Sequence, residues 1–265
     1  MADGRTVVVT GGTGALGTGV VDVLVAQGYA PLVTWVVERE RAATQERYGA
    51  RVRLEQLDVT DAAATKALGA RLDEGGGAWG LAHLVGGYRD GEPVAELDPA
   101  GWEAQIALNM TSAAYMMRAL LPGMVARGGG RVVAVSSRAA LRPFPGSAAY
   151  AASKAGLLAL VGAAAEDVKH DGVTVNCVLP SVIDTPANRG AQPDADPGRW
   201  VRPAEIGQTI AFLPSEGAPA GTGAGWFATR RGAAGRSPSP PPPIGTRPPA
   251  AERTAMSGTR TGSCS

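Results

Sequence analysis

Between residue 5 and about residue 229, short β-branched runs alternate with helical stretches. This alternation narrows the fold more than any other feature of the 265-residue chain. The pattern predicts strands over 5–10, 32–37, 51–57, 81–85, 131–136 and 173–179. Helices are expected between them over 15–28, 38–48, 62–72, 98–127 and 148–169. Six β/α units of this kind pair their strands in parallel through right-handed crossovers, with helices on both faces. The expected fold class is therefore α/β, a doubly wound parallel sheet. No internal repeat with a solenoid or propeller period interrupts the pattern.

Composition excludes several other classes. Lys+Arg (25) and Asp+Glu (24) leave a net charge of +1, so no basic footprint for nucleic acid exists. Hydrophobic residues make up 45 %, enough for a large core. No uncharged apolar run approaches the ~18 residues of a membrane span, and residues 1–9 lack a secretory apolar region. Cys177 and Cys264 are the only cysteines, and His83 and His170 the only histidines. That excludes a disulfide framework and a cysteine zinc cluster. Asp194 and Asp196 lack nearby ligands, so no metal site is expected. The expected location is the cytoplasm.

Residues 232–265 differ in kind. They contain the run Pro240–Pro243, and Ile244 and Met256 are their only large apolar residues. Such a segment cannot bury enough surface to offset its ordering entropy, so the chain divides into a domain over 1–231 and a disordered tail over 232–265. A polyproline ligand is the alternative reading of the tail. With 22 Arg against 3 Lys, a GC-rich gene is indicated, and a frameshift beyond about Leu213 would yield this Gly/Ala/Pro/Arg/Ser composition.

Two motifs carry chemistry. Thr10-Gly11-Gly12-Thr13-Gly14-Ala15-Leu16-Gly17 lies between the first strand and first helix. Glycines there permit a tight turn and close backbone approach to a pyrophosphate, which the helix N-terminus attracts. An acid for the adenosine ribose is expected about 20 residues on. Trp35 and Val36 stand there instead, with Glu38, Arg39 and Arg41 following. This favours NADP over NAD, since an arginine can pair with a 2′-phosphate, although Glu38 could reverse the preference. The second motif is Tyr150-Ala151-Ala152-Ser153-Lys154, which puts a phenol and an ammonium one helical turn apart. An ammonium near a phenol favours the phenolate and lowers its pKa toward working pH. Ser137, at the end of the preceding strand, can offer its hydroxyl to the same substrate oxygen.

Together these residues resemble the short-chain dehydrogenases/reductases, NAD(P)-dependent enzymes with a Rossmann-like fold. The Gly-rich turn, Asp58-Val59, Asn109, Ser137, Tyr150 and Lys154 stand in that family's order and approximate spacing, over residues 5 to about 213. The resemblance implies about seven strands in the order 3-2-1-4-5-6-7. It implies hydride transfer between NAD(P)H and a carbonyl or secondary alcohol, with Tyr150 as acid/base. Lys154 would hold the nicotinamide ribose and tune Tyr150, Ser137 would polarise the carbonyl, and Asn109 would position a relay water. The implied cofactor contacts are Gly11, Thr13, Gly14, Ala15, Leu16, Gly17, Arg39, Asp58 at the adenine with Val59, Val85, Gly86, Gly87, Tyr150, Lys154, Pro180, the Ile183 backbone and Thr185. A small-molecule partner is implied, with a homodimer through helices 98–127 and 148–169, or a homotetramer that the altered C-terminus calls into question.

Several positions depart from the family pattern. Ala15 replaces a glycine, Ser181 replaces another, and Leu84-Val85-Gly86-Gly87 replaces Asn-Asn-Ala-Gly, so the strand-stitching hydrogen bonds of those asparagines must arise elsewhere. Val85-Gly86-Gly87-Tyr88 is similar to dihydropteridine reductases, so a C=N reductase is the first rival reading. A catalytically impaired cofactor-binding scaffold is the second. Residues 222–229 are the candidate seventh strand. The loop 190–200 reads as a lid, with Tyr88, Arg138, Arg142, Phe144 and Trp200 as candidate pocket walls. His83 reads as a packed or edge residue, Cys177 as an inert buried thiol, and Tyr115, Met116 and Met117 as core or dimer contacts.

Overall fold

The computed structural model describes residues 4–89, 91–212, 222–223 and 225–228, with only the backbone of Phe212, Phe227 and Ala228. The strands are β1 (Thr6–Thr10), β2 (Ala30–Trp35), β3 (Arg53–Gln56), β4 (Gly80–His83), β5 (Gly130–Val135), β6 (Val173–Pro180) and β7 (Gly225–Ala228). All pair in parallel, in the order β3-β2-β1-β4-β5-β6-β7. This is the expected sheet, including its seventh strand. The expected tail, 232–265, and the segment after Leu213 up to 221 lie outside the described residues.

Side chains on successive strand residues point to opposite faces, and the sheet is covered on both. Val8, Val132 and Ala134 belong to one apolar cluster; Val7, Val9, Val133 and Val135 belong to the other. The first cluster takes α3 (Ala62–Glu74), α5 (Ser112–Ala126) and α6 (Ala148–Asp167) through Leu68, Met116 and Leu157. The second takes α1 (Ala15–Ala26) and α8 (Pro203–Phe212) through Val20, Leu24, Ile206 and Ile210. Among the described helices α6 alone is long and apolar enough to cross a membrane. Here Leu157, Val161 and Ala165 bury it against the sheet.

Three local differences from the expected elements bear on the site. β2 ends at Trp35, and Val36 and Val37 are exposed. The carbonyl of Val37 accepts the Glu40 and Arg41 N–H groups and opens α2 (Glu38–Tyr48), so helix initiation takes it from the sheet. The expected helix 98–127 is interrupted. Asp98 caps α4 (Pro99–Ile106), a π-turn follows over Ala107–Thr111, and α5 then resumes. The expected lid is a tethered excursion. It holds α7 (Pro186–Ala191) and closes at its base by a parallel bridge of Ile183 to Val201. Trp200, expected in the pocket wall, is buried at that base.

Leu157 is fully buried at the middle of α6. Leu157→Ala should lower unfolding free energy by about 2–5 kcal/mol in chemical denaturation, whereas Leu141→Ala on the exposed loop after β5 should change it by less than about 0.5 kcal/mol.

Candidate active site

The strand order reverses at β1 and β4, whose last residues Thr10 and His83 lie side by side. At such a reversal the flanking crossovers diverge and leave a crevice at the carboxyl edge. The Gly-rich turn forms one wall of it. Gly11 has φ +66°, and a Cβ on Gly17 would stand 2.3 Å from the Gly11 carbonyl oxygen, so α1 can start against the turn only without a side chain there. Gly14 gives α1 no side-chain cap, and no backbone acceptor among the described residues takes the N–H groups of Ala15, Leu16 or Gly17. Ala15 is exposed, so its methyl group leaves the turn's packing intact. An uncapped helix N-terminus behind a glycine cradle fits a pyrophosphate.

Across the crevice, the backbone after β4 passes Asn109 and Lys154. A Cβ on Gly86 would lie 2.7 Å from both Asn109 Oδ1 and Lys154 Nζ, and φ there is +153°. A side chain at this position would crowd both groups, at a φ that L residues rarely adopt. Asn109 Nδ2 donates to the Gly87 carbonyl at 3.0 Å, and Oδ1 accepts from the Gly87 N–H at 2.9 Å. The Gln105 amide lies 2.7 Å from Asn109.

Tyr150 stands in the first turn of α6, with its ring edge-on to Tyr88 at 5.2 Å and Lys154 Nζ 6.0 Å from its ring centre. Burial raises the phenol above its ordinary range; the Ser137 hydroxyl beside it acts in the opposite direction, and Tyr88 adds to the rise. The expected lowering by Lys154 is absent from this balance. Nζ instead donates to the Val135 carbonyl at 2.9 Å, and burial pulls the ammonium down to about 8. Ser137 is not the last residue of β5 but follows it, accepting the Ala139 N–H at 3.1 Å at the head of a short 3-10 turn. Its neighbour Ser136 donates to the Lys154 carbonyl at 2.8 Å and pins α6 to the end of β5.

The remaining candidates spread along the same edge. Asp58 follows β3 and accepts from the Thr60 N–H and hydroxyl through Oδ1, and Val59 is buried. Arg41 is paired with Glu38 at 2.6 Å over the Trp35 ring, while exposed Arg39 has no carboxylate partner among the described residues. Pro180 ends β6, and Thr185 caps α7 by accepting the Asn188 N–H. Ile183 accepts from Asn188 Nδ2 at 2.8 Å through its carbonyl. Among the described residues, no hydrogen bond or ion pair joins Arg39 or Asp58 to the Tyr150 group.

Sequence reasoning missed two contributors, Glu40 and Gln105. Glu40 accepts the Thr13 hydroxyl at 2.8 Å, placing a carboxylate against the Gly-rich turn; its i+2 spacing from Glu38 gave no sign of this. Gln105 meets Asn109 through their i,i+4 spacing, a signal that was in the sequence. His83 is the packed residue that was one of its two expected readings: it lies on the interior strand β4 and is fully buried. A cavity of about 240 Å³ adjoins Tyr150, lined among others by Arg89, Leu97, Trp102, Gln105 and Ala149.

Known proteins are similar to this chain in sequence and fold. The family model described as short chain dehydrogenase matches residues 5–196. D-beta-hydroxybutyrate dehydrogenase of Cupriavidus necator is 29 % identical, over 85 % of this chain and 96 % of its own. Cis-4-hydroxycyclohexanecarboxylate dehydrogenase of Sinomonas cyclohexanicum is 33 % identical, over 81 % and 90 % respectively. The crystal structure of a short chain dehydrogenase/reductase family oxidoreductase from Burkholderia thailandensis superposes with a TM-score of 0.77 at 27 % identity, covering 85 % of this chain and 91 % of that one. The match to the family model, the seven-stranded sheet in this order and these relatives together establish that the chain belongs to the short-chain dehydrogenase/reductase family and is an NAD(P)-dependent oxidoreductase.

Proposed function

We propose that the protein reduces a ketone to a secondary alcohol, reversibly, with Tyr150 as the proton donor. The observation that carries this reading is that Lys154 and Asn109 meet at Gly86, near the reversal of strand order, with the Tyr150 ring 6.0 Å from Lys154 Nζ and the Ser137 hydroxyl beside Tyr150. Gly11, Thr13, Gly14, Ala15, Leu16 and Gly17 would hold the cofactor pyrophosphate, Asp58 and Val59 its adenine, and Val85, Gly86, Gly87, Pro180, Ile183 and Thr185 its nicotinamide end. When bound, the nicotinamide supplies the hydride. Ser137 donates a hydrogen bond to the substrate oxygen, and Tyr150 delivers its proton as charge develops there. Lys154 orients the ribose and replenishes the proton through a water held by Asn109.

Four of the exposed large apolar side chains, Tyr88, Leu141, Phe144 and Val182, come from the loops after β4, β5 and β6 and rim this edge. They suit a substrate with an apolar, ring-bearing body. The rings of Phe144 and Tyr88 meet edge-to-face at 5.6 Å, continuing the contact of Tyr88 with Tyr150. Ser137 favours a carbonyl over the C=N centre of a pteridine-type reductase. NADP(H) is the cofactor we favour: Trp35, Val36 and Val37 put no charge at the end of β2, and Arg39 is free of carboxylates among the described residues. Glu40, drawn to the turn by Thr13, is the feature that opposes it.

With an apolar cyclic ketone, Tyr150→Phe should lower kcat about 100- to 10,000-fold and leave NADPH binding, followed by fluorescence, unchanged. Ser137→Ala should cost a comparable factor; near-normal turnover of that variant would instead favour C=N reduction. Reduction requires both Lys154 and Tyr150 protonated, and Lys154 loses its proton first, near pH 8. kcat/KM for the ketone should therefore be level below about pH 8 and fall above it, as a pH-rate profile would record. Arg39→Ala should raise the KM for NADPH about 10-fold, the scale of one surface charge contact to phosphate, and leave the KM for NADH unchanged.

A further inference from the structure

The imidazole of His83 lies in the only fully buried titratable ring among the described residues, and no step above uses it. Its two nitrogens are both engaged: Nδ1 lies 2.9 Å from Thr10 Oγ1, and Nε2 lies 3.1 Å from Ser112 Oγ. The Leu84 N–H is shared between the Thr10 carbonyl at 3.1 Å and Thr10 Oγ1 at 3.3 Å, which leaves the Thr10 hydroxyl able to donate or accept, so the Ser112 end fixes the direction of this chain. Ser112 Oγ donates its single proton to the Leu108 carbonyl at 2.6 Å, which can only accept. Ser112 must then accept from Nε2–H, and Thr10 must donate to Nδ1. One tautomer satisfies every group, the neutral ring with its proton on Nε2. Burial, with the Lys154 charge as a second cause, holds the ring's pKa down to about 3, so it stays neutral throughout the working range.

The far end of the chain is the π-turn. There the Ser112 N–H reaches the Ala107 carbonyl, five residues back, and its hydroxyl takes the Leu108 carbonyl. Asn109 is the next residue. The near end is the junction of β1 with β4, where the Gly-rich turn and Leu84–Gly87 depart. We propose that His83 is a positioning residue: it ties the π-turn to the paired ends of β1 and β4 and so sets the Asn109 amide against Gly87 and Lys154. His83 thus supplies the cross-strand stitching that the absent asparagines would give. This inference rests on the proposed relay role of Asn109.

Two measurements on the full-length protein test it. The first is a double-mutant cycle in ketone reduction. His83→Leu should lower kcat about 10- to 100-fold, the scale of a small displacement in a proton-transfer geometry, with little change in the KM for NADPH. The same substitution in an Asn109→Ala background should cost less than about 2-fold, since the effect passes through Asn109. His83→Gln, which keeps one donor and one acceptor, should recover part of the loss. An equal loss in both backgrounds, or no loss, overturns the positioning role. If Asn109→Ala itself leaves kcat unchanged, the relay reading fails, and the second measurement still tests the hydrogen-bond order. In ¹⁵N-detected imidazole spectra only two histidines contribute. The two are told apart by their loss or retention in His83→Gln, and His83 should keep a protonated Nε2 and a bare Nδ1 from pH 5 to 8. A proton on Nδ1, or titration of His83 in that range, overturns the proposal even if His83→Leu does not fold.

Discussion

The parallel pairing of β1 with β4 is the contact on which the rest depends. It brings the Gly-rich turn and the Gly86 backbone to facing sides of one crevice, because the crossovers from these two strands depart toward opposite ends of the sheet. The register is specified by burial on both faces. A slip of one residue would turn His83 away from Thr10 and carry Val8 into the opposite apolar cluster.

Burial also sets the site's electrostatics. Lys154, Tyr150 and His83 are each displaced toward their neutral forms, and for each the first cause is removal from water. What compensates is directional: a carbonyl for Lys154, a hydroxyl for Tyr150 and two hydroxyls for His83. A charge that develops on a substrate oxygen here meets fixed dipoles rather than water, the condition under which such dipoles stabilise it most.

Much of this was legible in the chain. The alternation of apolar runs gives the strand order once the family resemblance is added, and the i,i+4 spacing of Tyr150 and Lys154 puts both on one face of α6. What was not legible depends on contacts between distant segments. No residue type in 98–127 announces the π-turn, which forms because Asn109 and Ser112 bond to groups after and within β4. The lowering of Tyr150 by Lys154 was expected from charge alone, but the Val135 carbonyl claims the ammonium. The departure of Val36 and Val37 from β2 follows from competition between sheet and helix for one carbonyl, which residue propensity does not resolve.

The excursion that leaves at Ile183 and returns at Val201 begins and ends on a single bridge, with the Val201 N–H donating to Val182 and the Asp184 N–H to Val201. Its entry and exit points are thus held together independently of what lies between. An insertion or exchange within 186–199 would change the excursion without altering any strand register, so this stretch can vary in length and sequence like a cassette while the strand ends that carry it stay constant.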